Sequence, residues 1–168
     1  MAALTGTYTL ISSITVANTS TITATFSSIP ATYTDLILAY SMPSKSATNE
    51  TMLVRVNSDS GANYSTTRLL GNGSTAASSR VTGSTYASVS GTATDASAMM
   101  GIIHFNDYAN TTTYKTFLGR FGQAAVETDA TVNLWQNTAA INTILFQGTL
   151  GYLGNGSTFK LYGIEAAK

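Results

Sequence analysis

The sequence predicts an all-β fold, a single jelly-roll-like β-sandwich of about ten short antiparallel strands. One domain is expected over residues 1–168, with residues 1–7 standing outside the first strand as an N-terminal arm. Three observations carry that prediction. Apolar and polar residues alternate with period two along most of the chain, and helical periodicity is scarce. β-branched and aromatic residues fill the alternating runs, as a pleated and half-buried surface favours. Clusters of Gly, Asn, Asp and Ser interrupt the runs at short intervals, where the chain must turn.

In the first run, Tyr8–Val16, residues Tyr8, Leu10, Ile14 and Val16 are expected on one face, opposite Thr9, Ser13 and Thr15. Ile22, Ala24 and Phe26 alternate with Thr21, Thr23 and Thr25 in the second. Pro30 then breaks the chain, and Asp35–Tyr40 is apolar on both faces, which marks a strand inside a sheet. Met52, Val54 and Val56 alternate with Leu53, Arg55 and Asn57. Further strands are expected at Tyr64–Leu70, Thr85–Val89, Gly101–Asn106, Lys115–Phe121, Thr131–Trp135, Ile141–Gln147 and Thr158–Ile164. Ala124–Ala140 is rich enough in Ala for a short helix, but Val132 and Leu134 alternate with Thr131 and Asn133, which favours a strand. The hexapeptide Leu70-Gly71-Asn72-Gly73-Ser74-Thr75 recurs at Leu153–Thr158, and Asn-Gly suits a tight hairpin turn in each copy.

Composition narrows the chemistry. Only 10% of the 168 residues are charged, eight acids against eight bases, with one His and no Cys. Ser and Thr together exceed a quarter of the chain. The mean hydropathy of +0.11 fits a folded domain. Zero net charge recommends neither nucleic acid nor an anionic membrane as a partner, and no apolar run reaches the length of a membrane helix. Met1–Gly6 lacks the basic and apolar blocks of a secretory signal.

Candidate sites are few. His104 is the only imidazole, and Asp107 follows it closely, yet no Gly-x-Ser-x-Gly elbow accompanies them; a plain strand-face His is expected. Side-chain oxygens alternate in Asn57–Asn63 as in a calcium loop, but one carboxylate is too few, so a turn is expected and no metal. Glu127 and Asp129 are the one close acid pair and read as a solvated acidic turn. No catalytic residue and no cofactor follow from these patterns; the expectation is a non-enzymatic protein. Loop tyrosines, Tyr33 and Tyr108 among them, are candidates for anchoring a partner.

Four blocks carry a resemblance: Ile29–Leu36, Val56–Ser65 continuing to Leu70–Ser74, Leu134–Asn142, and Gly156–Ile164. In that order the chain resembles a family of β-rich virion structural proteins of tailed phages, especially phages of cyanobacteria and other marine bacteria. The resemblance implies a capsid decoration (cement) protein or a domain of a head or tail fibre, located on the virion. Strands that begin within the first ten residues leave no room for a fibre shaft, which favours decoration. The expected partner is the major capsid protein, with the chain as a homotrimer on the capsid surface. Met1, Ala2, Ala3 and Leu4 are expected to latch onto that partner together with Tyr33 and Tyr108. With so few charges, binding is expected to depend little on salt. The alternative is a receptor or carbohydrate-binding module that uses loop tyrosines on a host surface glycan.

Overall fold

The computed structural model describes residues 7–17, 20–43, 51–90, 98–149 and 153–165. Its strands are β1 (Tyr8–Thr15), β2 (Thr23–Phe26), β3 (Asp35–Met42), β4 (Met52–Val56), β5 (Tyr64–Gly71) and β6 (Ala76–Ser84). They continue with β7 (Ala87–Ser88), β8 (Met99–Phe105), β9 (Lys115–Gln123), β10 (Glu127–Trp135), β11 (Ile144–Gly148) and β12 (Thr158–Ile164). No helix forms among the described residues, so the Ala-rich stretch is a strand, as its alternation favoured.

The strands build two antiparallel sheets. The large one has the order β1-β12-β3-β8-β9-β10-β5-β6 and the small one β2-β11-β4-β7. Only β5–β6, β8–β9 and β9–β10 are consecutive neighbours; every other connection crosses between the sheets. This all-β sandwich is the expected class. Its strands divide eight and four, however, where a jelly roll spreads eight strands over two sheets. One apolar core lies between the layers. Tyr40 and Phe159 from the large sheet meet Phe146 from the small one, at ring-centre distances of 4.7 and 5.0 Å. Each such fully buried side chain contributes about 1.5–3 kcal/mol of transfer free energy.

Two elements depart from the expected pattern. β1 does not keep Tyr8, Leu10, Ile14 and Val16 on one face, because its register with β12 slips between Leu10 and Ser12. The extra residue reverses the alternation. Tyr8 and Leu10 therefore face outward and are exposed, whereas Ile14 packs against the core and Val16 is buried in it. β6 was not anticipated at all. Its sequence, AASSRVTGS, is exposed along nearly its whole length, so neither face carries an apolar row. The repeated hexapeptide also separates into two settings. Its first copy is the β5–β6 hairpin, with Gly73 at φ +86° and the Asn72 carboxamide accepting from the Ser74 and Thr75 amides. The second leads into β12 and bonds the end of β1, the Gly156 amide donating to the Val16 carbonyl. Only the positive φ of the second glycine, +85° at Gly156, is common to both.

Candidate interaction face

Register places side chains of the large sheet in rows across the strands. Because alternate residues face opposite sides, partners in a row share a face. On the side away from the small sheet, one row runs Leu10, Tyr162, Ile37, His104, Leu118, Val132 and ends on Thr67 and Arg80. The adjacent row holds Lys160, Ala39, Ile102, Arg120, Ala130 and Leu69. A strand face turned to water is ordinarily polar. Here Met100 is 66% exposed, Leu69 61% and Tyr8 59%, with Leu10, Ile102, Leu118 and Val132 also exposed. A groove of 710 Å³ lies along this face, walled by Tyr8, Ile37, Leu118, Tyr162 and Ile164 and edged by His104 and Arg120. The face explains why β3 read as apolar on both sides: Leu36, Leu38 and Tyr40 enter the core while Ile37 lines the groove.

His104 sits on that face beside the first residue of β3. Its Nε2 is 3.0 Å from Asp35 Oδ2, and Asp35 Oδ1 accepts from the Asp107 amide at 2.7 Å. The sequence neighbour Asp107 is thus not the partner of the imidazole; its carboxylate accepts from Asn110. Among the described residues His104 bonds Asp35 alone, so no hydroxyl stands where a triad would have its nucleophile.

The acid pair is a correction. Glu127 and Asp129 do not form a solvated turn but open β10, and their side chains point inward at i and i+2. Both grip Arg68 from β5: Arg68 Nη2 donates to Glu127 Oε1 and Nε to Asp129 Oδ1, each at 2.8 Å. The Asp129 carboxylate is fully buried, and its Oδ2 has no hydrogen-bond partner among the described residues. Two carboxylates bound to one guanidinium form a structural clamp, not an acid–base pair on a substrate.

The 57–63 loop is a turn, as expected, and its chemistry is wrong for a cation. Asp59 Oδ1 accepts from the Gly61 amide at 2.8 Å; Oδ2 accepts from Asn63 Nδ2 at 2.9 Å and from the indole Nε1 of Trp135 at 2.7 Å. Three N–H donors converge on the carboxylate, where a metal would need lone pairs. Among the described residues, no three His, Asp or Glu gather as metal ligands. Partial burial pushes the Asp59 carboxyl up, but the hydrogen bonds from Trp135, Asn63 and Gly61 outweigh it and hold the group below its ordinary value. A depressed folded value stabilises the protein above the ordinary pKa, and the contribution is lost as pH falls through the folded one. Asp59→Asn is therefore expected to cost about 2 kcal/mol at pH 7 and progressively less as pH falls below the ordinary aspartate value of ~3.9. Denaturation followed by the fluorescence of Trp135, the only tryptophan, measures it. An equal loss at pH 7 and pH ~2.5 would remove the charge from the explanation.

The remaining sequence candidates divide. Met1, Ala2, Ala3 and Leu4 lie outside the described residues. Tyr33 is half-buried, its ring laid over Gly163 of β12, where a Cβ would collide with it. Tyr108 is 0% exposed. Its hydroxyl donates to the Pro30 carbonyl and accepts from the Tyr33 amide, so this ring ties loops to the core and is no contact surface. What sequence reading missed was the outer face itself. Its residues are scattered over eight strands, and only the register assembles them.

No protein-family model matches the chain, and no curated relative does. A crystal structure of a protein of unknown function from Shewanella oneidensis MR-1 aligns over 98% of this chain and 78% of its own. At 11% identity and a TM-score of 0.21 the likeness carries no argument.

Proposed function

We propose that this chain is a virion structural protein of a tailed phage, a decoration (cement) protein that binds the assembled head and performs no catalysis. The observation that carries the reading is the outer face of the large sheet. Free monomers rarely expose contiguous apolar patches beyond a few hundred Å². Two rows, each about 7 Å wide and crossing eight strands at about 4.8 Å spacing, give a face of roughly 500 Å², about two-thirds of one partner's share of a standard interface. Such a surface works by mass action: whatever binds the assembled shell and not its dissociated subunits stabilises the assembly. The resemblance to phage structural proteins supports the virion as the setting, the major capsid protein as the partner and a homotrimer as the bound form.

Copy number per virion tests this. Quantitative mass spectrometry of purified particles is expected to find the chain at hundreds of copies on the head. A handful of copies, with binding to isolated host envelopes and none to empty heads, would transfer the protein to a fibre or baseplate and its glycan-binding role. Absence from particles would remove the reading altogether.

A further inference from the structure

Zero net charge conceals a segregation that only the fold produces. Arg80, Arg120 and Lys160 all project from the outer face of the large sheet and all are exposed. Arg120 and Lys160 make no hydrogen bond or ion pair among the described residues, and Arg80 reaches only the Thr67 hydroxyl, at 3.1 Å. The one carboxylate in the rows of this face, Asp35, is already held by His104 and the Asp107 amide. Of the other described acids, Glu127 and Asp129 are held on Arg68 beneath the sheet, Asp59 lies under Trp135, Asp107 accepts from Asn110, and Glu165 stands just past the end of β12. One face of a neutral protein is therefore both apolar and basic.

We propose that this face docks a patch of another protein that is apolar and acidic, with Arg120 and Lys160 making the charge contacts. The register supplies the geometry. Arg120 stands between Ile102 and Ala130, and Lys160 is beside Ala39, so each cation is set in an aliphatic row. Carboxylates placed over them would be partly dehydrated by the surrounding aliphatics, which strengthens each pair relative to one in open water. A second copy of this chain fits poorly. Arg120 is close to the centre of the face, on the fifth of eight strands, so a two-fold face-to-face dimer would bring like charges together. Nucleic acid would satisfy the cations and leave the aliphatic rows between them without a partner. The decoration reading is needed only to identify the docked protein as the shell subunit; the chemistry of the face stands without it. It also revises the expected indifference to salt, since docking here loses affinity as salt rises.

Isothermal titration calorimetry on the full chain, with a soluble glutamate–tyrosine copolymer as probe, tests this. The copolymer is expected to bind, more weakly by about tenfold between ~50 and ~500 mM salt, and a lysine–tyrosine copolymer is expected not to bind. Arg120→Glu should weaken binding about tenfold, whereas Thr111→Glu, which adds an acid on the exposed loop between β8 and β9, outside both rows, should change it less than about twofold. Lys160→Glu serves as the second charge reversal if Arg120→Glu does not fold. Binding of neither copolymer, equal binding of both, equal effects of the face and loop variants, tighter binding of duplex DNA, or a face-dependent dimer in sedimentation would each overturn the inference. The two readings fail separately. High copy number on heads with no response to Arg120→Glu leaves decoration standing and removes the acidic partner. Copolymer binding by a chain absent from heads does the reverse.

Discussion

Arg68→Ala is expected to destabilise the fold by ~3–5 kcal/mol, more than most surface charge changes could. Arg68 is partly exposed, but the group it serves is not. The Asp129 side chain has no solvent exposure, and the guanidinium is its charge partner, through Nε at 2.8 Å. The same guanidinium holds Glu127 through Nη2, so its removal leaves two carboxylates side by side, one of them buried. Breaking a buried pair from one side leaves an uncompensated charge, whereas replacing both partners by apolar groups of similar volume is often nearly neutral. The double variant Arg68→Met/Asp129→Leu is accordingly expected to recover most of the loss. Urea denaturation of the three proteins at pH 7 decides it. An Arg68→Ala loss under about 1 kcal/mol, or a double variant as unstable as the single, would show that the clamp matters little.

That clamp also shows where sequence reading reaches its limit. Periodicity finds strands whose buried positions are apolar: β12 was legible residue for residue at Thr158–Ile164, and β4 to within one residue, Met52–Val56 against a run read to Asn57. β10 was read only from Thr131 because its inner positions Asp129, Thr131 and Asn133 are polar and buried, satisfied largely by Arg68 and Thr66 across the strand pair. β6 was invisible because an edge strand exposed on both faces needs no apolar row. In β1 a single-residue bulge separated Tyr8 and Leu10 from the face of Ile14 and Val16 and turned them outward, where Tyr8 walls the groove. The candidate face was legible only as fragments. Its apolar residues could be seen along each strand, but the meeting of Ile102, Arg120, Ala130 and Leu69 in one row depends on pairings between distant segments. Charge segregation is of the same kind, since composition counts charges and register decides which face receives them.

Gly101→Ala is expected to cost about 3 kcal/mol, at the upper end for adding one methyl to a packed core, and to carry a functional loss with it. Gly101 lies opposite Tyr40 in the β3–β8 register, and the tyrosine ring crosses directly over it. A Cβ built there would fall within the ring, on its Cζ and hydroxyl oxygen, nearer than carbon atoms can approach. The ring cannot swing aside, because Phe146 from the small sheet and Phe159 from β12 pack against it. β8 must therefore shift outward or the layers must part. Gly122→Ala on the neighbouring strand is the matched control. No atom lies within 4 Å of the added methyl, so it should be neutral or stabilising by about 0.5 kcal/mol through reduced backbone freedom in the unfolded chain. Thermal denaturation of the pair gives the stability term, and equal behaviour would dispose of the packing argument. The functional consequence follows from position. Gly101 lies between Met100 and Ile102, which are exposed on the outer face, so a displaced β8 moves residues at the middle of the proposed docking surface. Gly101→Ala should then lower head occupancy even at temperatures where the variant remains folded, whereas Gly122→Ala, whose methyl points outward and displaces nothing, should retain it.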